Sequence, residues 1–195
     1  MGKNNNRHQA FCIAAGLSLS LVLSGCSQTP KAPESLLPSG PQALAVTATH
    51  KQHFQPGRYD RLIIEPIYAG KKDQLLPERK QAYAAIESIL VSELKPKLST
   101  EKGPRLGALT VRYGLVSGQL VSDSSLINFF GNTPGLTTVP GEEKMTIAVS
   151  LIHAETGKEL WKGAAQGFVA KELSRELQLE RARQAVHRML ATIEN

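Results

Sequence analysis

Lys144-Met145-Thr146-Ile147-Ala148-Val149-Ser150-Leu151-Ile152 (KMTIAVSLI) alternates large apolar residues with small or polar ones. Met145, Ile147, Val149 and Leu151 fall on one side, the two-residue period of a strand with one face on a core. The next six residues, His153-Ala154-Glu155-Thr156-Gly157-Lys158, read as a hairpin loop, with Gly157 available for a left-handed backbone. Residues 159–170 then return as a second strand carrying Trp161 and Phe168. This hairpin sets the class of fold, because an antiparallel pair with one apolar face needs a covering layer.

The covering layer is supplied on either side. Upstream, residues 106–121 (LGALTVRYGLVSGQLV) form a long strand in which Leu109, Val111 and Tyr113 alternate, with Gly114 and Gly118 placed to bend it. Residues 61–68 (RLIIEPIY) form another strand, where Pro66 removes a ladder donor and marks a strand end or a bulge. Between these strands Pro77 opens a helix to Leu94, with Ala82, Ile86, Ile89, Leu90 and Leu94 as its stripe; Pro96 helps to end it. Downstream, Ser174 caps a last helix to Ile193, with Leu179, Ala182, Val186, Met189, Leu190 and Ile193 as its stripe. The order is strand–helix–strand–strand–strand–helix. It predicts a two-layer α+β domain over residues 58–195, with about four mainly antiparallel strands and two helices on one face. Those 138 residues suffice for one domain with a substantial core.

The N-terminal region is built differently. Residues 1–10 carry Lys3 and Arg7 and no acid; residues 11–23 (FCIAAGLSLSLVL) are an apolar run; Ser24 and Gly25 follow. A charged start, a short apolar middle and a small-residue end form a secretory signal peptide over residues 1–25. The run of 13 residues is short for a membrane span, which needs about 20. Residues 26–57 are interrupted by Pro30, Pro33, Pro38, Pro41 and Pro56 and read as a flexible tether. Such a tether reaches about 30 Å by random-coil scaling. Within it, Ala43-Leu44-Ala45-Val46 is compatible with a short edge strand packed on the head. His50 and His53 have a chelating spacing, but no third ligand lies near them in sequence, and a solvated linker accounts for both.

Leu23-Ser24-Gly25-Cys26 resembles the lipobox of bacterial lipoproteins: aliphatic, small, small, Cys. The resemblance implies cleavage after Gly25, a diacylglycerol group on the Cys26 thiol, and an acyl chain such as palmitate on the new amino terminus. The membrane would then be a partner through these chains. One chain holds only marginally, at about 0.8 kcal/mol per buried CH₂, whereas several hold firmly. Ser27 at the next position implies the outer membrane within the same resemblance; the periplasmic face is the expected side, with the inner membrane or the cell surface as the alternatives. Cys12 is lost with the signal, so the mature chain has no thiol for a disulfide or a cysteine metal site. Loss of Lys3 and Arg7 lowers Lys+Arg from 23 to 21 against 17 acids, a balance of +4. That balance, without a dense basic run, does not indicate nucleic-acid binding.

Catalytic sets are hard to assemble. No Gly-x-Ser-x-Gly elbow, phosphate loop or dinucleotide fingerprint is present, and no cofactor or metal is expected. Glu142 and Glu143 are adjacent and cannot flank one glycosidic bond. Glu65, alone in an apolar strand, and His153 and His187, read as solvated, are the remaining candidates. Residues 122–143 (SDSSLINFFGNTPGLTTVPGEE) form an unusually long connection holding Leu126, Ile127, Phe129 and Phe130. They either tuck onto the head or form an exposed apolar tip that engages a partner.

The stretches Tyr59-Asp60-Arg61-Leu62-Ile63-Ile64-Glu65-Pro66 and Leu151-Ile152-His153-Ala154-Glu155-Thr156-Gly157-Lys158-Glu159-Leu160 resemble those of uncharacterised bacterial lipoprotein families, domains of unknown function. His153 stands where those families commonly carry Asp. The element order resembles, more distantly, the TolB amino-terminal and CsgG-like α+β domains. The resemblance implies a fold and no activity. The expectation is therefore a lipid-anchored envelope protein, not an enzyme, that acts as a binding or assembly module on an envelope protein partner. The alternatives are a cell-wall or lipid hydrolase using Glu65 or His153, and a structural subunit of an envelope oligomer.

Overall fold

The computed structural model describes residues 43–51, 54–68, 76–99, 105–117, 130–131, 134–136, 143–169 and 173–193. Among these residues there are five strands and two long helices: β1 (Leu44–His50), β2 (Arg61–Ile67), α1 (Pro77–Leu94), β3 (Ala108–Ser117), β4 (Glu143–His153), β5 (Glu159–Val169) and α2 (Arg175–Ala191). The strands form one sheet in the order β1-β5-β4-β3-β2. The α+β class and both helices agree with expectation, and the sheet differs in two respects.

First, the sheet has five strands. The whole of β1 falls in the segment expected to be tether, and it pairs antiparallel with β5 from Leu44↔Gly167 to His50↔Trp161. The compatible edge strand at residues 43–46 is thus the start of a longer element. Second, the sheet is mixed, since β2 pairs parallel with β3. The cause is the intervening helix: a chain that leaves β2, forms α1 and returns cannot reverse in a hairpin, so it crosses over. Pro66 then lies on an edge strand, where a missing N–H is tolerated.

The core lies between the helices and one sheet face. Leu109, Val111, Tyr113, Ile147, Val149, Leu151 and Trp161 from the strands meet Tyr83, Ile86, Leu90 and Leu94 of α1 and Val186, Met189 and Leu190 of α2. Trp161 is fully buried, and its indole N–H donates to Thr192 Oγ1 at 3.3 Å beyond the end of α2. The α1 stripe differs from expectation at one position, with Tyr83 buried in place of Ala82. The Tyr83 hydroxyl donates to Ile67 O at 2.7 Å and accepts from Leu115 N at 3.2 Å, so a side chain joins two parallel strands where their ladder ends. Burial, and then the Glu87 carboxylate that accepts from its hydroxyl, push the Tyr113 phenol well above the ordinary range.

The opposite face of the sheet is covered in part. Phe130 packs on Val116, Ala148 and Ala164, and Leu136 packs on Ala43, Ala45 and Phe168. Gly114 admits the Phe130 ring: a Cβ there would lie 3.1 Å from Phe130 Cε2. Gln166, fully buried, accepts from Leu136 N at 2.9 Å and so satisfies a backbone donor over the sheet. At the hairpin, Gly157 takes φ +67°, the left-handed conformation expected of it. Ser174 caps α2 as expected, accepting from Leu177 N at 3.4 Å.

Candidate functional site

The residues nominated from sequence do not converge on one place. Cys26, Leu126, Ile127 and Phe129 lie outside the described residues. Phe130 is only 4% exposed, so it is a packing residue of the second sheet face and not part of an exposed tip. The physical reason is local: Gly114, Ala148 and Ala164 leave a shallow bed on that face that an aromatic ring fills. Glu65 sits on the same face, where its carboxylate accepts from Arg112 Nε at 2.7 Å. Both side chains are nearly half exposed, so this pair contributes little to stability.

The histidines are equally scattered. His153 is not a solvated loop residue: it ends β4 and stands edge-on to Tyr59, with ring centroids 5.8 Å apart. Its Nδ1 is buried without a hydrogen-bond partner among the described residues. Tyr59 is itself buried, which pushes its phenol upward against the opposing pull of Arg58. His187 is exposed on α2, with Nδ1 2.9 Å from Glu93 Oε2 of α1. His50 is exposed at the end of β1, and His53 lies outside the described residues. Among the described residues no group of three potential metal ligands occurs, and no helix is long and apolar enough to cross a membrane.

The structure instead brings together residues that the sequence did not nominate. Where α2 crosses the sheet near the β1 edge there is a cavity of about 130 Å³. Leu44, Ile147, Ala165, Ala182 and Ala185 give it apolar walls, while Arg181 and Gln184 of α2 give it a polar side. Arg181 Nη1 is buried and has no hydrogen-bond partner among the described residues. A buried donor left in this state costs free energy that an acceptor would recover. Met145 and Ala182 are shared with a larger groove of about 440 Å³ between the N-terminal halves of the helices, walled by Ile86, Leu115 and Leu179.

Two glycines of β5 define the cavity by contrast. Gly163 and Gly167 are four residues apart on the face turned toward α2. A Cβ at Gly163 would lie 2.5 Å from Trp161 Cη2 and 2.9 Å from Met189 Cγ, so the ring occupies the space its side chain would need. A Cβ at Gly167 would meet nothing nearer than Ala43 O at 3.6 Å. One glycine makes room for the core, and the other leaves room beside Arg181. The sequence carried a weak trace of this site, in a Gly-x-x-x-Gly spacing within a strand and an arginine bordering the α2 stripe.

No family model and no curated protein matches the sequence. Among solved structures, the chain is similar to the PelC dodecamer from Paraburkholderia phytofirmans, at 11% identity and a TM-score of 0.45 over 77% of this chain and 96% of that one. A point variant of the same dodecamer gives 10% identity and a TM-score of 0.43 over the same shares of the two chains. A PDZ domain protein from Parabacteroides distasonis gives 14% identity and a TM-score of 0.45, over 76% of this chain and 35% of that one.

Proposed function

We propose that this protein is a lipid-anchored component of the bacterial envelope, held at the periplasmic face of the outer membrane through Cys26. Its head serves as a binding or assembly module and not as a catalyst. The observation that carries the reading is Leu23-Ser24-Gly25-Cys26, placed in register at the end of a 13-residue apolar run that begins after Lys3 and Arg7. A thiol at that position is an acylation site, and a diacylglycerol on its sulfur with an acyl chain on the new amino terminus supplies three chains, more than the two that stable anchoring requires.

A binding role for the head is supported by the cavity beside Arg181, which combines apolar walls with one cationic side chain. Leu126, Ile127 and Phe129 are proposed to face the protein partner; Phe130 is committed to the sheet. Metabolic labelling with an alkyne fatty acid tests the anchor. Label and membrane fractionation are expected in the wild type and are lost in Cys26→Ala. Equal labelling of both, or of neither, overturns the anchor.

A further inference from the structure

We propose that the cavity beside Arg181 is a binding site for a small aliphatic carboxylate, with the carboxylate on the guanidinium and the hydrocarbon against Leu44, Ile147 and Ala165. This deepens the reading of the head as a binding module and rests on it, but it is independent of the acyl anchor.

Three observations converge on this ligand class. The first is size. A volume of about 130 Å³ is close to that of an apolar cavity able to hold a six-membered ring, about 150 Å³. It therefore suits a body of about six carbons. The second is charge. Arg181 is the one charged residue in the described lining, and Gln184 adds a neutral polar group. One guanidinium matches one negative charge and presents parallel N–H donors to a carboxylate. A phosphate would bring a second charge with no counter-charge in this lining. The third is the room at Gly167, where a Cβ would make only ordinary contacts, 3.6 Å from Ala43 O and 3.8 Å from Leu44 Cδ1. Glycine is disfavoured within a strand, and no steric contact requires it here, whereas Trp161 requires Gly163. Adding a side chain at residue 167 would fill the cavity, so glycine keeps it open.

Titration calorimetry on the full chain carrying Cys26→Ala tests the site with acylation removed. The probes are hexanoate, hexanol and hexyl phosphate. Hexanoate is expected to bind, with hexanol weaker by about tenfold or more because the charge-assisted hydrogen bonds are lost. Arg181→Met, which keeps an apolar stem, is expected to weaken hexanoate by the same factor. Gly167→Val is expected to abolish binding. Amide chemical shifts of the chain without these two substitutions provide a second readout that does not depend on a variant folding: hexanoate should move Leu44, Gly167 and Ala182 together.

No hexanoate binding, binding indifferent to both variants, or shifts confined to other residues would each overturn the proposal. Tighter binding of hexyl phosphate than of hexanoate would overturn the carboxylate assignment. Loss of fatty-acid labelling at Cys26 with hexanoate binding intact would remove the anchor alone. Labelling with no hexanoate binding would remove this ligand alone.

Discussion

Tyr83 Oη donates to Ile67 O at 2.7 Å and accepts from Leu115 N at 3.2 Å, so one helical side chain completes the hydrogen bonding between β2 and β3 where their ladder ends. Tyr83→Phe keeps the ring contacts with Tyr68 and Tyr113 but leaves the buried Leu115 N–H without its acceptor. The expected loss is about 1–3 kcal/mol of unfolding free energy. Urea denaturation should show a lower midpoint at an unchanged slope. An unshifted midpoint would mean that water replaces the hydroxyl at no cost.

Phe130 offers a decision between the two readings of the long connection. Buried on Val116, Ala148 and Ala164, it should cost about 3 kcal/mol when replaced by alanine, at the lower end for buried aromatics. A ring at an exposed tip would cost within about 0.5 kcal/mol. Thermal unfolding of Phe130→Ala separates these outcomes, and a Tm equal to that of the wild type would return the ring to solvent.

What was legible in the sequence was whatever follows from local periodicity. Met145, Ile147, Val149 and Leu151 declared β4 by alternation, and Ser174 with the stripe from Ala182 to Ile193 declared α2. The parallel pairing of β2 with β3 was implicit in the helix between them, yet pairing is a non-local property that no window of residues contains. β1 was obscured because its proline-rich surroundings resemble a linker. Its strand character comes from hydrogen bonding to β5, far along the chain. The cavity beside Arg181 was the least legible feature. It depends on a glycine of β5, the first residues of β1 and one turn of α2 meeting in space, and none of these is unusual alone.

Ser174 and Glu176 link the start of α2 to acid stability. The Glu176 carboxyl is held below its ordinary value of 4.5, first by a hydrogen bond from its own backbone N–H and then by one from the Ser174 side chain. A carboxyl depressed on folding adds stability that is present above about pH 4.5 and is lost as the pH falls through the lower folded value. Ser174→Ala removes one of those hydrogen bonds and the N-cap contact to Leu177 N, at a cost of about 0.5–1 kcal/mol. NMR titration of Glu176 in the variant should show its pKa rising toward 4.5. A value unmoved by the substitution would assign the depression to the backbone alone.

The two β5 glycines should respond differently to alanine. At Gly163 a methyl would lie 2.5 Å and 2.7 Å from the ring atoms Cη2 and Cζ2 of Trp161. That ring is fully buried and tied to Thr192, so it has little room to yield. Overpacking of this kind costs about 1–3 kcal/mol. At Gly167 the same methyl makes only ordinary contacts, 3.6 Å from Ala43 O and 3.8 Å from Leu44 Cδ1, and the unfolded chain loses some of glycine's freedom. Gly167→Ala is therefore expected to leave stability unchanged or raise it by about 0.5–1 kcal/mol. Parallel calorimetric scans of the two variants check the pair. A fall in Tm for Gly167→Ala comparable to that for Gly163→Ala would mean that the space beside Arg181 is already filled, and that no cavity exists there to receive a ligand.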